Sequence, residues 1–411
     1  MNEIKIKLGS NNKGFIILYE DDIRAGEMVI SVDGSTLTVY HTEVEEKFSG
    51  KGYAKLLLDA LEKYAIENKL KVEALCPYVH AQFKKNPDRF ERIWEKDESM
   101  SKLITGIHHV TAIAGGAQKN LEFYAGVLGL RLVKKTVNFD APEIYHLYYG
   151  DELGNPGSVL TFFPYQGLKM GRHGKGMLNT TAFSVPMNSI GFWTERLKKF
   201  GVAYKEPQER FENEIVIYFE DQDGLGLELV FNDNDTRTGY YSGSINESNA
   251  IRGFHNVEIW QEGYELTAGV LTQQLDHTLI AEKGNRFRFA ASNQSGNYVD
   301  IVCAPDSLKG LAGSGMVHHL AFKTPDKASQ EAIRQKIVER NLNPTEILNR
   351  NYFTSIYFKE PGGVLFEVAT ELPGFTVDEE VDHLGEELQL PAWFEEQRAQ
   401  LLTKLPEITI D

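Results

Sequence analysis

Two stretches decide how this chain folds: GIHHVTAI at Gly106–Ile113 and GMVHHLAF at Gly315–Phe322. They lie about two hundred residues apart, and each sets two adjacent histidines inside an apolar run of strand length. Two further stretches open in the same way, Gly176-Met-Leu-Asn-Thr and Gly253-Phe-His-Asn-Val. After each opening comes a segment of helical period, such as NLEFYAGVLGL or QEAIRQKIVER, and then a closing strand that follows a glycine. The closings are Gly157-Ser-Val-Leu-Thr161, Gly224-Leu-Gly-Leu-Glu228, Gly296-Asn-Tyr-Val-Asp300 and Gly363-Val-Leu-Phe-Glu367. The units recur at roughly 65 to 75 residues, and each reads β-α-β-β-β.

Aligned on the histidine pairs, the opening position holds His109, Thr180, Asn256 and His319. The closing position holds Thr161, Glu228, Asp300 and Glu367. A β-α-β-β-β unit is half of a curved sheet, so two must pair to enclose a cavity. Neighbour pairing gathers His109, Thr161, Thr180 and Glu228 in one cavity and Asn256, Asp300, His319 and Glu367 in the other. Neither is a good transition-metal site. Pairing the first unit with the fourth gathers His109, Thr161, His319 and Glu367, and leaves Thr180, Glu228, Asn256 and Asp300 without an imidazole. Only this crossed arrangement gives two histidines and one carboxylate, the facial set that leaves coordination positions open on Fe(II). Successive strand residues face opposite ways, so His108 and His318 start out on the other face. They are structural histidines, hydrogen-bond partners of the ligands, or acid–base groups where the strand twists. His255 is a rival ligand.

Composition narrows the rest. A chain of 411 residues exceeds one ordinary core, and 42% hydrophobic with 25% charged residues is the range of soluble globular proteins. A net charge of -16 argues against nucleic acid or an anionic membrane as the main partner. The two cysteines, Cys76 and Cys303, form no spacing motif, which predicts free thiols in a reducing compartment. The opening MNEIKIKLGS has no signal-peptide core and no stretch has the length of a membrane span, so a cytoplasmic location is expected.

The first 95 or so residues have a different texture. MVISVDGSTLTVYHTEV reads as two strands turning at Asp33-Gly34. Ala54, Leu57, Leu58, Leu61, Tyr64 and Ala65 fall at helical spacing, so a helix starts near Gly52. KVEALCPYV predicts a further strand carrying Cys76, and the polar EKDESMSK reads as a linker. Lys47, Gly50 and Gly52 form a loop before the helix that can aim backbone N–H groups at a pyrophosphate. Cys76 is either a small buried hydrophobe or a thiol able to carry an acyl group, activated if His41 lies close.

From Leu103 onward the chain resembles the vicinal-oxygen-chelate superfamily of glyoxalases, bleomycin-resistance proteins and extradiol dioxygenases. The likeness within it is to bacterial hydroquinone and methylhydroquinone ring-cleaving dioxygenases. IHHVTAI, FYAGVLGLRLVKKTVNFD, YHLYYGDELGNPGSVLTFFP, GFHNVEIW, MVHHLAF, NRNYFTSIYFKEPGGVLFEVAT and the tail LGEELQLPAWFEEQR carry it. The resemblance implies an Fe(II) site, with Mn(II) as the alternative metal, made by His109, His319 and Glu367. It also implies that His318, Arg350 and Tyr357 line the substrate side, with Thr111 a weaker pocket candidate. VYHTEVEEKFSGKGYAKLLLDALEKYAIENKLKVEALCPYV resembles short acetyltransferases of the GNAT superfamily, whose glycine loop binds acetyl-CoA, although Lys47 stands where that loop usually opens with Arg or Gln.

The expected architecture is therefore α+β: a small GNAT-like domain over 1–96, then four modules with the first paired to the fourth and the second to the third. Modules one and two fall in 103–233, three and four in 250–372, and a tail over 373–411 packs on them. The expected activity is Fe(II)-dependent cleavage of a hydroquinone- or catechol-like ring by dioxygen; the oligomeric state is left open by the sequence, although exposed sheet edges of this kind often pair and allow a homo-oligomer. A glyoxalase-type isomerase or thiol transferase is the alternative; it needs a strong oxygen ligand where Thr161 stands. A non-enzymatic binder needs no metal, against which the intact His, His, Glu set counts.

Overall fold

A computed structural model of the chain describes residues 2–9, 13–21, 23–74, 76–94, 102–292 and 296–409. The chain divides into two compact units, Met1–Ser101 and Lys102–Asp411. Most of the linker expected at EKDESMSK, residues 95–101, lies outside the described residues. No described helix is long and apolar enough to cross a membrane.

In the first unit, strands β1 (Asn2–Leu8), β2 (Lys13–Glu20), β3 (Ile23–Asp33) and β4 (Thr36–Val44) form an antiparallel meander, and β5 (Lys71–Ala74) adds parallel to β4. Gly34 turns the β3–β4 hairpin with φ of 56°, a left-handed value that favours glycine. Helix α1 (Tyr53–Glu67) buries Leu57, Leu58, Leu61 and Ala65, the stripe its period predicts. The strand expected around Cys76 ends at Ala74 instead. Cys76 caps helix α2 (Pro77–Lys85), because Pro77 lacks an N–H and suits the first helical position. Helix α3 (Pro87–Phe90) follows and buries Phe90.

In the second unit each module has the expected order. Module one runs β6 (Gly106–Ala114), α4 (Ala117–Leu121, continuing as a π-helical turn), β7 (Arg131–Asn138), β8 (Ala141–Gly150) and β9 (Val159–Pro164). Module two runs β10 (Met177–Pro186), α5 (Ile190–Lys199), β11 (Gln208–Glu209), β12 (Ile215–Glu220) and β13 (Gly226–Asn232). Module three runs β14 (Phe254–Gln261), α6 (Glu265–Gln273), β15 (Thr278–Lys283), β16 (Arg286–Ala290) and β17 (Tyr298–Cys303). Module four runs β18 (Met316–Thr324), α7 (Lys327–Glu339), β19 (Leu348–Asn349), β20 (Thr354–Lys359) and β21 (Leu365–Thr370). A last short helix, α8 (Arg398–Leu402), lies in the tail.

Modules one and four share one curled eight-stranded sheet, and modules two and three share the other. The pairing is therefore crossed. Antiparallel β6–β18 sets His319 opposite Thr111 and Ala321 opposite His109. Parallel partners then set Glu367 beside Ala321 and Thr161 beside Thr111. In the other sheet β10–β14 sets Thr180 opposite Glu258 and Ala182 opposite Asn256, with Glu228 beside Ala182 and Asp300 beside Glu258. His319 and Thr180, Glu367 and Glu228, His109 and Asn256, and Thr161 and Asp300 thus hold equivalent ladder positions.

The ladders slip by one residue at two places in each sheet. The unpaired residues are His318 and His108 in one, Asn179 and His255 in the other. A bulge turns its extra residue away from strict alternation, which answers why histidines can stand side by side in a strand and still meet.

The tail packs on module one: Lys134 Nζ bonds Asp378 Oδ1 at 2.6 Å and also reaches Glu379, while Gln389 N donates to Lys135 O at 2.9 Å. The opening glycines serve close approach. Gly315 has φ of 76°, and a Cβ there would lie 1.8 Å from the Asp223 carbonyl oxygen. Gly315→Ala is expected to lower unfolding stability by roughly 3 kcal/mol, read as a shift of the urea midpoint at unchanged slope.

Candidate metal centre and its cavity

Strands β6, β18 and β21 bring His109, His319 and Glu367 together, and each is 4% exposed or less. His109 Nε2 and His319 Nε2 are 3.2 Å apart, and Glu367 Oε2 lies 2.9 Å from His319 Nε2 and 3.3 Å from His109 Nε2. Although that close, Glu367 Oε2 has no hydrogen-bond partner among the described residues. Burial alone would raise the Glu367 carboxyl, and positive charge on the two imidazoles is what would hold it well below the usual carboxylate range. Burial lowers His319.

The atoms behind the three groups are all engaged. His108 Nε2 is 3.1 Å from the Thr370 carbonyl, which can only accept, so the proton of His108 resides on Nε2. His108 Nδ1 must then accept, and His109 Nδ1, 2.9 Å away, must donate. His109 Nε2 is left as a bare lone pair. Burial pushes His108 down to about 3, so it stays neutral in this role. His318 Nδ1 lies 2.8 Å from His319 Nδ1 in the same way. Ser355 Oγ donates to Glu367 Oε1, leaving Oε2 for the cluster. Ligating histidines held by a partner on the other ring nitrogen are the usual support of a metal site, and these donor atoms fit a divalent ion of the first transition row.

The fourth corner is closed. Burial pushes the Tyr148 hydroxyl well above its usual range, so it stays protonated and donates to His146 Nδ1 at 2.8 Å. His146 Nε2 can then donate to Thr161 Oγ1 at 2.8 Å, and Thr161 bonds Thr111 at 2.7 Å. Thr161 is consumed by this chain, and Thr111 does not line the cavity.

A cavity of about 710 Å³ opens over the cluster, lined by His109, His146, His318, Arg350, Tyr357 and Phe163 among others. Apolar walls come from Ile113, Phe353 and Leu365. His318 reaches the open cavity, and its Nε2 has no hydrogen-bond partner among the described residues. Arg350 Nε donates to the Tyr357 hydroxyl at 3.2 Å, and Arg350 Nη2 lies 3.2 Å from Asp140 Oδ2. The Tyr357 hydroxyl thus accepts from Arg350, and burial raises its pKa.

His255 is not brought to the cluster. It occupies the bulge equivalent to that of His108, with Nδ1 2.8 Å from Asn256 Oδ1, in the other sheet. In the first unit Cys76 is 1% exposed with its Sγ 3.2 Å from Thr42 Oγ1, while His41 is exposed. Gly50 and Gly52, with φ of 80° and 77°, lead into α1, and a Cβ on either would meet nothing within 4 Å.

Two residues escaped the sequence reading. His146 stands two positions before Tyr148 on one strand face, and Ser355 two before Tyr357. Alternation from the neighbouring aromatic was the available signal.

Four β-α-β-β-β modules in two crossed sheets, with such a cluster under a cavity, define a class of small-molecule proteins. The chain belongs to the Glyoxalase/Bleomycin resistance protein/Dioxygenase superfamily, whose model matches residues 106–229 and 254–368. Residues 14–93 match the GCN5-related N-acetyl-transferase model. A putative ring-cleaving dioxygenase, MhqE of Bacillus subtilis, is 42% identical over 74% of this chain and 99% of its own. A chlorohydroquinone/hydroquinone 1,2-dioxygenase of Sphingobium indicum is 33% identical over 74% of this chain and 96% of its own. The crystal structure of a putative dioxygenase from Bacillus subtilis superposes with a TM-score of 0.72 at 39% identity, covering 75% of this chain and 99% of that one.

The two bulged histidines are expected to part in a stability test. His108→Phe strands the His109 N–H and the Thr370 carbonyl, and should lose about 1–3 kcal/mol. His318→Phe strands the His319 Nδ1 alone, with no carbonyl lost, and should cost less, about 1 kcal/mol. Urea unfolding of both metal-free variants measures the difference.

Proposed function

We propose that the second unit is an Fe(II)-dependent ring-cleaving dioxygenase acting on hydroquinone-like aromatic diols, with catechols the neighbouring class. The observation that carries this reading is Glu367 Oε2, a buried oxygen with no hydrogen-bond partner among the described residues, facing two imidazole Nε2 atoms under an apolar cavity. The activity named for the relatives supports it. His109, His319 and Glu367 would hold the metal; a ferrous ion there supplies the one-electron chemistry that lets dioxygen react with a closed-shell phenol.

The remaining work belongs to side chains. Phe163, Phe353, Ile113 and Leu365 give the aromatic ring a dry place and keep water from the reacting carbons. Arg350 offers a fixed positive charge to an oxygen that becomes anionic, and Tyr357 a directed O–H. His318 Nε2 is the group placed to take or return the proton of a substrate hydroxyl. Enclosure in the cavity and the neighbouring His319 push His318 down to about 4, which suits a base that is neutral before the substrate arrives.

We further propose that the first unit binds acetyl-CoA. Its pyrophosphate would meet the Lys47 ammonium and the backbone N–H groups of the Gly50–Gly52 turn at the start of α1. Cys76 is the candidate acyl carrier, with Thr42 beside it.

The test of the dioxygenase is anaerobic loading with Fe(II), then oxygen uptake with methylhydroquinone and with catechol. Uptake equal to substrate, with a ring-opened chromophore, is expected of the wild type. Glu367→Ala should lose both bound iron and uptake, and Arg350→Met should retain iron while kcat/KM falls roughly 10²-fold. Full metal occupancy without uptake would overturn the assignment and turn attention to thiol and aldehyde substrates. For the first unit, calorimetric titration with acetyl-CoA should show binding that Lys47→Ala weakens several-fold, and acetyl transfer to the chain should vanish in Cys76→Ala. Absence of binding sinks that proposal alone.

A further inference from the structure

The sheet of modules two and three encloses its own cavity, about 550 Å³, where the other sheet holds its histidines. Thr180, Arg210, Tyr218, Glu228, Trp260 and Arg286 are among its lining residues. Ladder equivalence sets Thr180 at the place of His319, and Glu228 at the place of Glu367. Positive charge here comes from arginine. Arg286 reaches Glu258 with one nitrogen and Asp300 Oδ2 with another at 2.9 Å, and Arg210 pairs with Glu228 Oε1. Two guanidinium groups already pair with these carboxylates, which leaves no metal-ligating set among the described residues here. Among the described residues the cluster of His109, His319 and Glu367 is the one group able to hold a metal.

One acceptor in this cavity is left over, beside one donor, Arg210 Nη1, that also has no partner among the described residues. Glu228 is 5% exposed, and its Oε2 has no hydrogen-bond partner among the described residues. The orphan sits on the same ladder position as Glu367 Oε2, so the duplicated fold aims it into the cavity.

The surroundings select the ligand's charge. Five carboxylates line the cavity, Glu206, Glu209 and Glu220 at its exposed rim and Glu228 and Glu258 within, against three cations, Lys205, Arg210 and Arg286. The Tyr218 ring already carries a cation, with Lys205 Nζ 4.3 Å from its centre. The Trp260 indole is fixed as a wall by donating to Glu258 Oε1 at 2.6 Å. An acceptor oxygen on the floor, aromatic walls and an acidic rim suit a molecule with N–H donors, a positive charge and an apolar body.

We propose that the sheet of modules two and three binds a small organic ammonium ion, an amine with an aryl or alkyl body, its N–H groups on Glu228 Oε2 and its body against Tyr218 and Trp260. Burial pushes the Glu228 carboxyl upward and Arg210 opposes the rise; a bound cation opposes it further. The site is independent of the metal cluster and of the reaction proposed there.

Isothermal titration of the full chain with phenethylammonium, against neutral 2-phenylethanol and anionic 3-phenylpropionate, is the test. Saturable binding of the ammonium at one site per chain is expected, with the other two at least tenfold weaker. Glu228→Gln should weaken the ammonium at least tenfold. The double variant Glu206→Lys with Glu209→Lys, at exposed rim positions that do not endanger the fold, should weaken it several-fold. Absence of saturable binding by the wild type overturns the proposal. Equal affinity for either comparison compound, or undiminished binding in both variants, does the same.

Discussion

Everything at the metal cluster depends on two one-residue slips where β6 crosses β18. Without them His108 would point to the face opposite His109, and the paired rings could not touch. With them, each first histidine swings beside the second and takes up its Nδ1. One inserted residue per strand thus does what alternation forbids: it gives a buried imidazole a partner from its own backbone neighbour. The Thr370 carbonyl then fixes the proton on one side of this chain, and that choice propagates to the Nε2 of His109.

The same scaffold solves one electrostatic problem twice. Burying an ionised carboxylate without a counter-charge costs several kcal/mol, and each sheet buries such a group at the same ladder step. The sheet of modules one and four surrounds Glu367 with imidazoles whose open nitrogens suit an ion from outside. The sheet of modules two and three uses guanidinium groups from within: Arg210 pairs with Glu228, and at the step equivalent to Thr161, Arg288 bonds Asp300 through Nε at 2.7 Å while Arg286 adds a second contact. Asp300 is held below the usual carboxylate range although burial pushes it up, because these arginines outweigh the loss of water. Where the cation is built in, no vacancy for a metal remains.

The repeat, the crossed pairing and the register were legible because glycine marked every opening and because His, Thr, Asn, Glu and Asp fell at aligned positions. Those types carry their chemistry into any alignment. The bulges were not legible, since an extra residue shows only against the strand it faces. His146 was hidden for a related reason: its part in closing the fourth corner depends on Tyr148 beneath it and on Thr161 across the sheet. The helix after Cys76 starts at Pro77, a residue suited to the first helical position, but the short apolar run before it has the pattern of a strand.

Crossed pairing also orders events in time. The rings of His109 and His319 are separated by 210 residues of chain, and modules two and three must be made between them. At ordinary rates of synthesis this interval is roughly 10–40 s. For that time β6 waits with one edge unpaired, while modules two and three can already close on each other. The half-sheet that will carry the chemistry is thus the part of the nascent chain most exposed to wrong strand partners, and it is shielded only when the last module leaves the ribosome.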